Sequence, residues 1–232
     1  MKHIFFFFIL LFCVSNTNIL AQTQISVKAT PQNLFHPETA IVPLAVEFRK
    51  NRFAIEYEHG FPINSFFLNW NREKENQRYF RSRIGLQYRM KDKGVNYSVG
   101  KLQQFLGMYA SYMPENYSRT DDWYVRDSNN RTYTYETADV SVRYWKYYLC
   151  YGLKIPFSEI FSLEYIFGLG GQYKKVVYDS ENDMLAISNT DLWDEWIRPV
   201  DRIEGVRHAF FPAFNMRLVF QLFSVEKEEV EK

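Results

Sequence analysis

Apolar and polar side chains alternate at every second residue over long stretches of this chain. From residue 80 to residue 91 the even positions read Phe, Ser, Ile, Leu, Tyr and Met, whereas the odd positions read Arg, Arg, Gly, Gln, Arg and Lys. Residues 144–155, 161–174 and 213–222 show the same split. A period of two is that of an extended strand. A single apolar face along about ten residues predicts a strand that crosses a membrane as part of a β-barrel.

The connections between these strands are of two kinds. Lys50-Asn51 and Pro156–Glu159 are short enough for tight turns, whereas residues 60–76, 114–139 and 179–207 are long and polar. Periplasmic turns and long outer loops are typical of outer-membrane barrels. The first and fifth strands have the least regular pattern. We predict an all-β fold, an eight-stranded antiparallel up-and-down transmembrane β-barrel, with strands over residues 24–30, 39–49, 52–59, 78–90, 103–113, 141–155, 160–177 and 208–223.

The first 21 residues have the pattern of a secretory signal peptide. Lys2 precedes an apolar run from Phe5 to Val14, and a more polar stretch leads to the small residue Ala21. Such a run is too short for a membrane helix and matches a cleaved export signal. We therefore expect cleavage after Ala21, a barrel over residues 22–223 in the cell outer membrane, and a charged periplasmic tail over residues 224–232.

The polar face of the predicted strands carries charges of both signs. In a closed barrel these side chains share one lumen, where an isolated charge would cost several kcal/mol and opposite charges satisfy one another. We predict a structural charge network formed by Glu47, Glu56, Glu58, Arg81, Arg83, Arg89, Lys146, Lys154, Glu164, Lys174 and Arg217.

A secreted soluble barrel of lipocalin type, with its apolar face around a ligand, is the structural alternative. Aromatic residues make up 19% of the chain. An eight-stranded barrel has an interior that side chains just fill. Placing all of these rings inside would overfill it, so the sequence favours the membrane barrel. The same limit on interior space argues against an open pore.

Several short motifs are similar to one family of small outer-membrane barrels. They are Ile25–Lys28, Phe105–Ala110, Tyr151-Gly152 before Pro156, Phe161–Glu164, Gly168–Tyr173, and Pro212 near the start of the last strand. Together they resemble the domain-of-unknown-function family 3575 of Bacteroidetes-type bacteria over nearly the whole processed chain. The resemblance implies the fold and the outer-membrane location. It also implies an accessory role in fimbrial or other surface assembly, with no assigned activity.

Catalytic motifs are absent from the sequence. After the signal peptide the histidines are His36, His59 and His208, and none lies in a Gly-x-Ser-x-Gly or His-Glu-x-x-His pattern. Glu58 and His59 are adjacent, so on a strand they face opposite ways. We predict a non-enzymatic protein. An outer-membrane lipid-modifying enzyme, with Ser, His and a carboxylate at the outer rim, remains the runner-up.

The last long loop is acidic and also carries two tryptophans. Its carboxylates could gather around calcium, but their spacing does not match a known calcium loop, and we predict no metal and no cofactor. Trp193 and Trp196 are candidates for partner contact, since indole rings favour interfaces. Lys and Arg number 28 against 27 Asp and Glu, which argues against nucleic acid. The expected partners are outer-membrane lipid, lipopolysaccharide and a surface-assembly protein.

Overall fold

The structure is a computed structural model that describes residues 23–35, 40–63, 74–90, 96–97, 100–126, 131–185 and 201–225. The predicted signal peptide, His36, Trp193, Trp196 and residues 226–232 lie outside these ranges. A short 3-10 helix covers Pro31–Phe35. The strands are β1 (Thr23–Ala29), β2 (Ile41–Lys50), β3 (Phe53–Pro62), β4 (Glu75–Tyr79), β5 (Arg81–Arg89), β6 (Asn96–Tyr97), β7 (Gly100–Lys101), β8 (Gln103–Arg126), β9 (Arg131–Pro156), β10 (Phe161–Glu181), β11 (Met184–Leu185) and β12 (Ile203–Val225).

Eight of these strands close into an antiparallel barrel. In order around the wall they are β1, β2, β3, β5, β8, β9, β10 and β12, and β12 pairs with β1 to close the ring. The short strand β4 pairs with β8 beyond the end of β5, and β11 pairs with β9 beyond the end of β10. The predicted fold class, an eight-stranded all-β barrel, is confirmed. None of the helices in the described ranges has the length and apolar character needed to span a membrane.

Both predicted tight turns lie at one end of the barrel, called here the turn end. Lys50 pairs with Phe53, so only Asn51 and Arg52 connect β2 to β3. Asn51 has a φ of 55°, a conformation that Asn tolerates better than most residues. At the second turn, the Ser158 hydroxyl accepts hydrogen bonds from the backbone N–H groups of Ile160 at 3.3 Å and Phe161 at 2.9 Å.

The outer wall of the barrel is an apolar band between two aromatic belts. The belt at the turn end includes ring pairs such as Phe53 with Tyr88 and Phe161 with Phe220. The opposite belt runs from strand to strand through Phe61, His59, Phe80, Tyr112 and Trp145. Between the belts, exposed aliphatic side chains cover the wall, among them Ile55, Ile84, Leu86, Leu106, Met108, Leu149 and Leu169. The apolar side chains therefore point outward, opposite to the lipocalin arrangement.

Glycines on the inner wall explain the irregular pattern of the predicted fifth strand. Phe105 and Tyr109 of β8 point inward and are buried, whereas Leu106 and Met108 point outward. A Cβ atom at Gly152 would collide with the Phe105 ring, and one at Gly85 would collide with the Tyr109 ring. Two large rings fit inside the barrel because the facing residues on neighbouring strands have no side chains.

The strands are longer than predicted at the end opposite the turns. β8 continues to Arg126 rather than residue 113, and β9 begins at Arg131 rather than residue 141. The predicted loop over residues 114–139 is therefore mostly a paired strand hairpin, and the loop over 179–207 is shortened at both ends. Beyond the apolar band outward positions face water, so polar residues occupy them and the apolar alternation that marks a strand is lost.

These extensions form a second closed structure, called here the projection. The projection surrounds a core of its own. It consists of residues 114–126 of β8, 131–144 of β9, 174–181 of β10 and 201–206, which include the start of β12. A parallel pairing closes it, Ile203 with Val125 and Glu204 with Arg126. Tyr124 and Tyr178 stack inside it, with ring centroids 4.4 Å apart and planes 9° apart. The buried core consists of Tyr117, Tyr124, Tyr135, Ala138, Val140, Val142, Val176 and Tyr178.

A charge placed on the apolar band should destabilise the barrel. Leu149 is 66% exposed near the middle of the band on β9. Leu149→Arg should lower the free energy of unfolding from lipid vesicles by about 2 to 4 kcal/mol, because the guanidinium meets hydrocarbon. The matched control is Thr120→Arg, which adds the same charge at an exposed position of the projection and should change stability by less than about 0.5 kcal/mol. Equal effects of the two variants would refute the assignment of the band.

Candidate functional site in the barrel interior

A network of ion pairs fills the barrel at the level of the apolar band. At one centre is Lys28 of β1, whose side chain is 1% exposed. Its Nζ lies 2.7 Å from Glu47 Oε2, 3.0 Å from Glu56 Oε2 and 2.8 Å from Glu164 Oε2. These carboxylates belong to β2, β3 and β10. One ammonium group therefore joins four strands of the wall.

Arg217 of β12 is the second centre of the network and is fully buried. Its Nη1 lies 2.9 Å from Glu56 Oε1 and 3.0 Å from Glu164 Oε1. The same nitrogen donates to the Tyr109 hydroxyl at 3.3 Å. Since β12 and β3 are separated in the wall by β1 and β2, the contact between Arg217 and Glu56 crosses the interior. It holds distant parts of the wall together.

Two arginines of β5 extend the network away from the turn end. Arg83 pairs with Glu58 and lies 3.4 Å from Glu56 Oε1, and its Nη1 donates to the Tyr148 hydroxyl at 3.3 Å. Arg81 pairs with the other oxygen of Glu58 at 2.8 Å. Glu58 is thus shared by two cations.

On the turn side, an amide and a further arginine complete the network. Arg49 pairs with Glu47 at 3.2 Å and donates to the Gln87 side-chain oxygen at 2.8 Å. The Gln87 amide nitrogen donates to Glu56 at 3.1 Å and to the Tyr109 hydroxyl at 2.7 Å. All eight barrel strands contribute at least one side chain to this arrangement.

A separate buried cluster at the base of the projection centres on Asp201. Its carboxylate pairs with Lys174, lies 3.5 Å from Lys74 Nζ and accepts a 3.0 Å hydrogen bond from the Tyr144 hydroxyl. Its backbone carbonyl accepts a hydrogen bond from Tyr178 at 2.6 Å. Burial by itself would raise the pKa of Asp201, but Lys174 and Lys74 outweigh it and hold that pKa below its ordinary value. The carboxylate therefore stays ionised at neutral pH.

Seven of the eleven residues predicted for the lumen network lie in it. They are Glu47, Glu56, Glu58, Arg81, Arg83, Glu164 and Arg217. Lys174 belongs to the Asp201 cluster instead. Arg89 is half-buried at the end of β5. Lys146 and Lys154 face inward on β9, but within the described part of the chain no carboxylate lies within ion-pair distance of either.

Sequence reasoning missed several members of these sites. Lys28 and Arg49 follow the inward alternation of β1 and β2, and extending the pattern to those short strands would have found them. Gln87 and Tyr109 carry no charge, so a search for paired charges passes over them. Asp201 lies in the segment predicted to be an acidic loop. Its partners come from segments far apart in the chain, so no sequence signal points to its burial.

Of the two histidines that the structure describes, His59 lies beside a serine hydroxyl on the outer wall. His59 Nδ1 is 3.3 Å from Ser82 Oγ, and the Tyr57 hydroxyl is 3.5 Å from the same oxygen. Phe61 and Phe80 flank the imidazole. Among the described residues, no carboxylate lies within salt-bridge distance of His59 to orient it. His208 packs edge-on against Tyr173.

The part of the chain that the structure describes contains one free thiol and no cluster of metal ligands. No group of three or more His, Cys, Asp or Glu side chains there is arranged to hold a metal ion. Cys150 is a free, buried thiol packed with Tyr109, Tyr148 and Ile166. The interior offers paired charges and phenols, an arrangement suited to holding strands together.

Comparison with known proteins identifies no family and finds only distant structural similarity. No protein-family model matches the chain, and no curated protein matches it. The resemblance to family 3575 therefore stays a prediction. A major outer membrane protein from Thermus thermophilus is similar with 13% identity and a TM-score of 0.42, over 87% of this chain and 99% of that chain. CarO from Acinetobacter baumannii is similar with 9% identity and a TM-score of 0.40, over 88% and 99%. Likeness at this level carries no argument about what this chain binds or does.

Removing Arg217 should be costly, and the cost should depend on its carboxylate partners. Arg217→Leu leaves Glu56 and Glu164 with one fewer buried cation and should destabilise the barrel by about 3 to 5 kcal/mol. Combining it with Glu56→Gln or Glu164→Gln should cost less than the sum of the single changes. Glu115→Gln, which removes a buried acid near the projection, should instead be additive. Unfolding from lipid vesicles measures all variants, and additivity in every combination would refute the shared network.

The Asp201 cluster should make stability depend on acid pH. Because the folded pKa of Asp201 lies below its unfolded value of about 3.9, its contribution is present above that unfolded pKa and is lost as the pH falls through the folded pKa. Asp201→Asn should destabilise by about 3 kcal/mol at neutral pH, and the difference from the parent should shrink below about pH 4. The control is Asp179→Asn, at an exposed position, which should show no such convergence. A constant deficit for Asp201→Asn down to acid pH would contradict the ionised pair.

Proposed function

We propose that this chain is a non-enzymatic outer-membrane barrel that serves as a structural or accessory protein of the cell surface. One observation carries the proposal: charges paired with one another fill the inside, while the outside presents an apolar band bounded by aromatic belts. That distribution suits a wall in hydrocarbon. Above the wall stands a projection with its own buried core, and its surface is available for contact with another molecule.

The interior argues against a channel. Side chains from opposite parts of the wall meet across the lumen, as Arg217 and Glu56 do at 2.9 Å. Tyr109 and Tyr148 stack beside them with ring centroids 5.2 Å apart. Opening a path for solutes would require breaking these buried ion pairs, each of which is costly to separate.

The two ends of the barrel support a proposed orientation in the membrane. The turn end has tight turns and the paired residues Thr23 and Val225 of the first and last strands, which suits the periplasmic side. The projection then faces the medium. The predicted signal peptide supports export to this membrane.

The proposed partners are of two kinds. Outer-membrane lipid would cover the apolar band, including a groove of about 460 Å³ lined in part by Leu86, Met108, Ala110 and Leu149, and lipopolysaccharide would surround the outer belt. A surface-assembly protein, fimbrial or otherwise, would bind the projection and the neighbouring loops. The resemblance to family 3575 suggests this second partner, and Trp193 and Trp196 are its proposed contacts.

A lipid-modifying enzyme is the second candidate, and the contact between Ser82 and His59 is the observation that favours it. The pair faces the lipid near the outer belt, where an ester substrate would lie. Within the described residues His59 has no carboxylate to orient it, so the geometry supports this candidate less well. Labelling of Ser82 by a fluorophosphonate probe in outer-membrane fractions, abolished by His59→Ala, would establish the enzyme and overturn the scaffold.

The scaffold proposal predicts a topology and a lack of conductance. An epitope tag inserted at Asn129 should be labelled on intact cells, whereas a tag after Lys232 should be labelled only after permeabilisation. The purified barrel should give no ion current in planar bilayers, because its lumen is filled. If only the Lys232 tag were labelled on intact cells, the orientation would be opposite to the one proposed. A stable current would show that the barrel is a pore and would contradict the scaffold proposal.

A further inference from the structure

Lys146 lies inside the barrel without an acidic partner among the described residues. This lysine of β9 is half-buried and faces inward between the ion-pair network and the Asp201 cluster. Its Nζ lies 5.5 Å from the centroid of the Phe211 ring. Two cations lie near it: Arg81 on β5, and Lys174 on β10, which is two residues from the Gln172 that pairs with Lys146.

The acids nearest to this trio are already shared. Glu58 pairs with Arg83 as well as with Arg81. Asp201 pairs with Lys74 as well as with Lys174. Lys74 has a closer acidic partner in Glu115, at 2.7 Å. Within the described part of the chain, Lys146 is thus left without a carboxylate at ion-pair distance. An uncompensated charge in a protein interior is unfavourable unless an opposite charge joins it.

The same level has unused hydrogen-bond donors and access for solvent. Arg81 Nε is buried and has no hydrogen-bond partner in the structure. The register places Gln172 and Ser111 directly beside Lys146 on the two neighbouring strands. Arg81, Lys146, Gln172 and Lys174 are each partly exposed, whereas Lys28 and Arg217 below them are fully buried. Side chains in this layer therefore border space that solvent can occupy, whereas those of the network beneath it do not.

We propose that Lys146, together with Arg81 and Lys174, binds a phosphate-type oxyanion in this layer of the lumen. An oxyanion has several acceptor oxygens, which suit an ammonium group and the free edge of a guanidinium at once. It supplies the negative charge that Lys146 lacks among the described residues. Because the donors lie inside the wall, the ligand is a free anion from solution.

The test is the stabilisation of the purified, signal-free barrel by inorganic phosphate. The barrel is folded in zwitterionic detergent at about pH 7, where lysine is charged, and phosphate replaces chloride at constant ionic strength. The unfolding midpoint of the parent should rise with phosphate, since a ligand that binds only the folded state stabilises it. Lys146→Gln should weaken the apparent affinity by at least about tenfold, because one charge-assisted contact is lost. Without phosphate, this variant should be as stable as the parent or more stable, because a repelling charge is gone.

The matched control is Lys175→Gln, the same substitution at an exposed outward position on β10, and it should respond to phosphate as the parent does. A Lys146→Gln variant that phosphate stabilises as strongly as the parent would overturn the site. So would a variant destabilised to the same extent with and without phosphate, since Lys146 would then be purely structural. If chloride stabilised the barrel as strongly as phosphate does, the site would not select oxyanions and the proposal would be wrong. If only vesicles that contain phosphatidic acid produced the response, the ligand would be a lipid and the free-anion proposal would be wrong. The purified barrel is used throughout, so the result is independent of the proposed cellular role.

Discussion

Most charged side chains inside this closed barrel are paired with opposite charges from other strands, and this pairing organises the structure. Glu56 receives Lys28 from β1, Arg83 from β5 and Arg217 from β12. The contacts with Lys28 and Arg217 join β3 to strands that are not its neighbours in the wall. Removing one member of such a network is costly, because it leaves a buried charge without its partner in a low-dielectric interior. The packing of the strands in the wall and the pairing of the interior charges therefore depend on each other.

Glycine residues in the wall leave space for the large side chains of the interior. The ion pairs occupy the centre, and the rings of Phe105 and Tyr109 fit beside them only because Gly152 and Gly85 leave space on the facing strands. A filled interior then leaves two surfaces for function: the apolar band and the projection. The projection has its own buried tyrosine core and its own closing contact between β12 and β8. At its base lies the Asp201 cluster, which joins lysines from β10 and from the residue before β4.

The two layers of the lumen differ in how deeply their charged side chains are buried. In the lower layer four carboxylates meet cations from β1, β2, β5 and β12, and these partners are all protein. In the upper layer Glu58 and Asp201 are each shared by two cations, and Lys146 has no carboxylate at ion-pair distance among the described residues. Lys154 in the lower layer also lacks such a carboxylate there, but it is buried. The upper layer is where an ion from outside can meet an unpaired cation, since Lys146 is partly exposed.

The sequence by itself determined the fold class, the tight turns and the inward set of charges. An alternation of period two assigns Glu56, Arg83 and Arg217 to one face without any knowledge of the fold, because adjacent strand residues point to opposite sides. The alternation did not predict the strands beyond the apolar band. Outward residues there face water and are polar, so the strand segments through Tyr117 and Val140 resembled loops. Only the tertiary structure decided which acid meets which base, that Asp201 is buried, and that β8 and β12 close the projection. Those outcomes depend on strand stagger and on contacts between segments far apart in the chain, which no local pattern records.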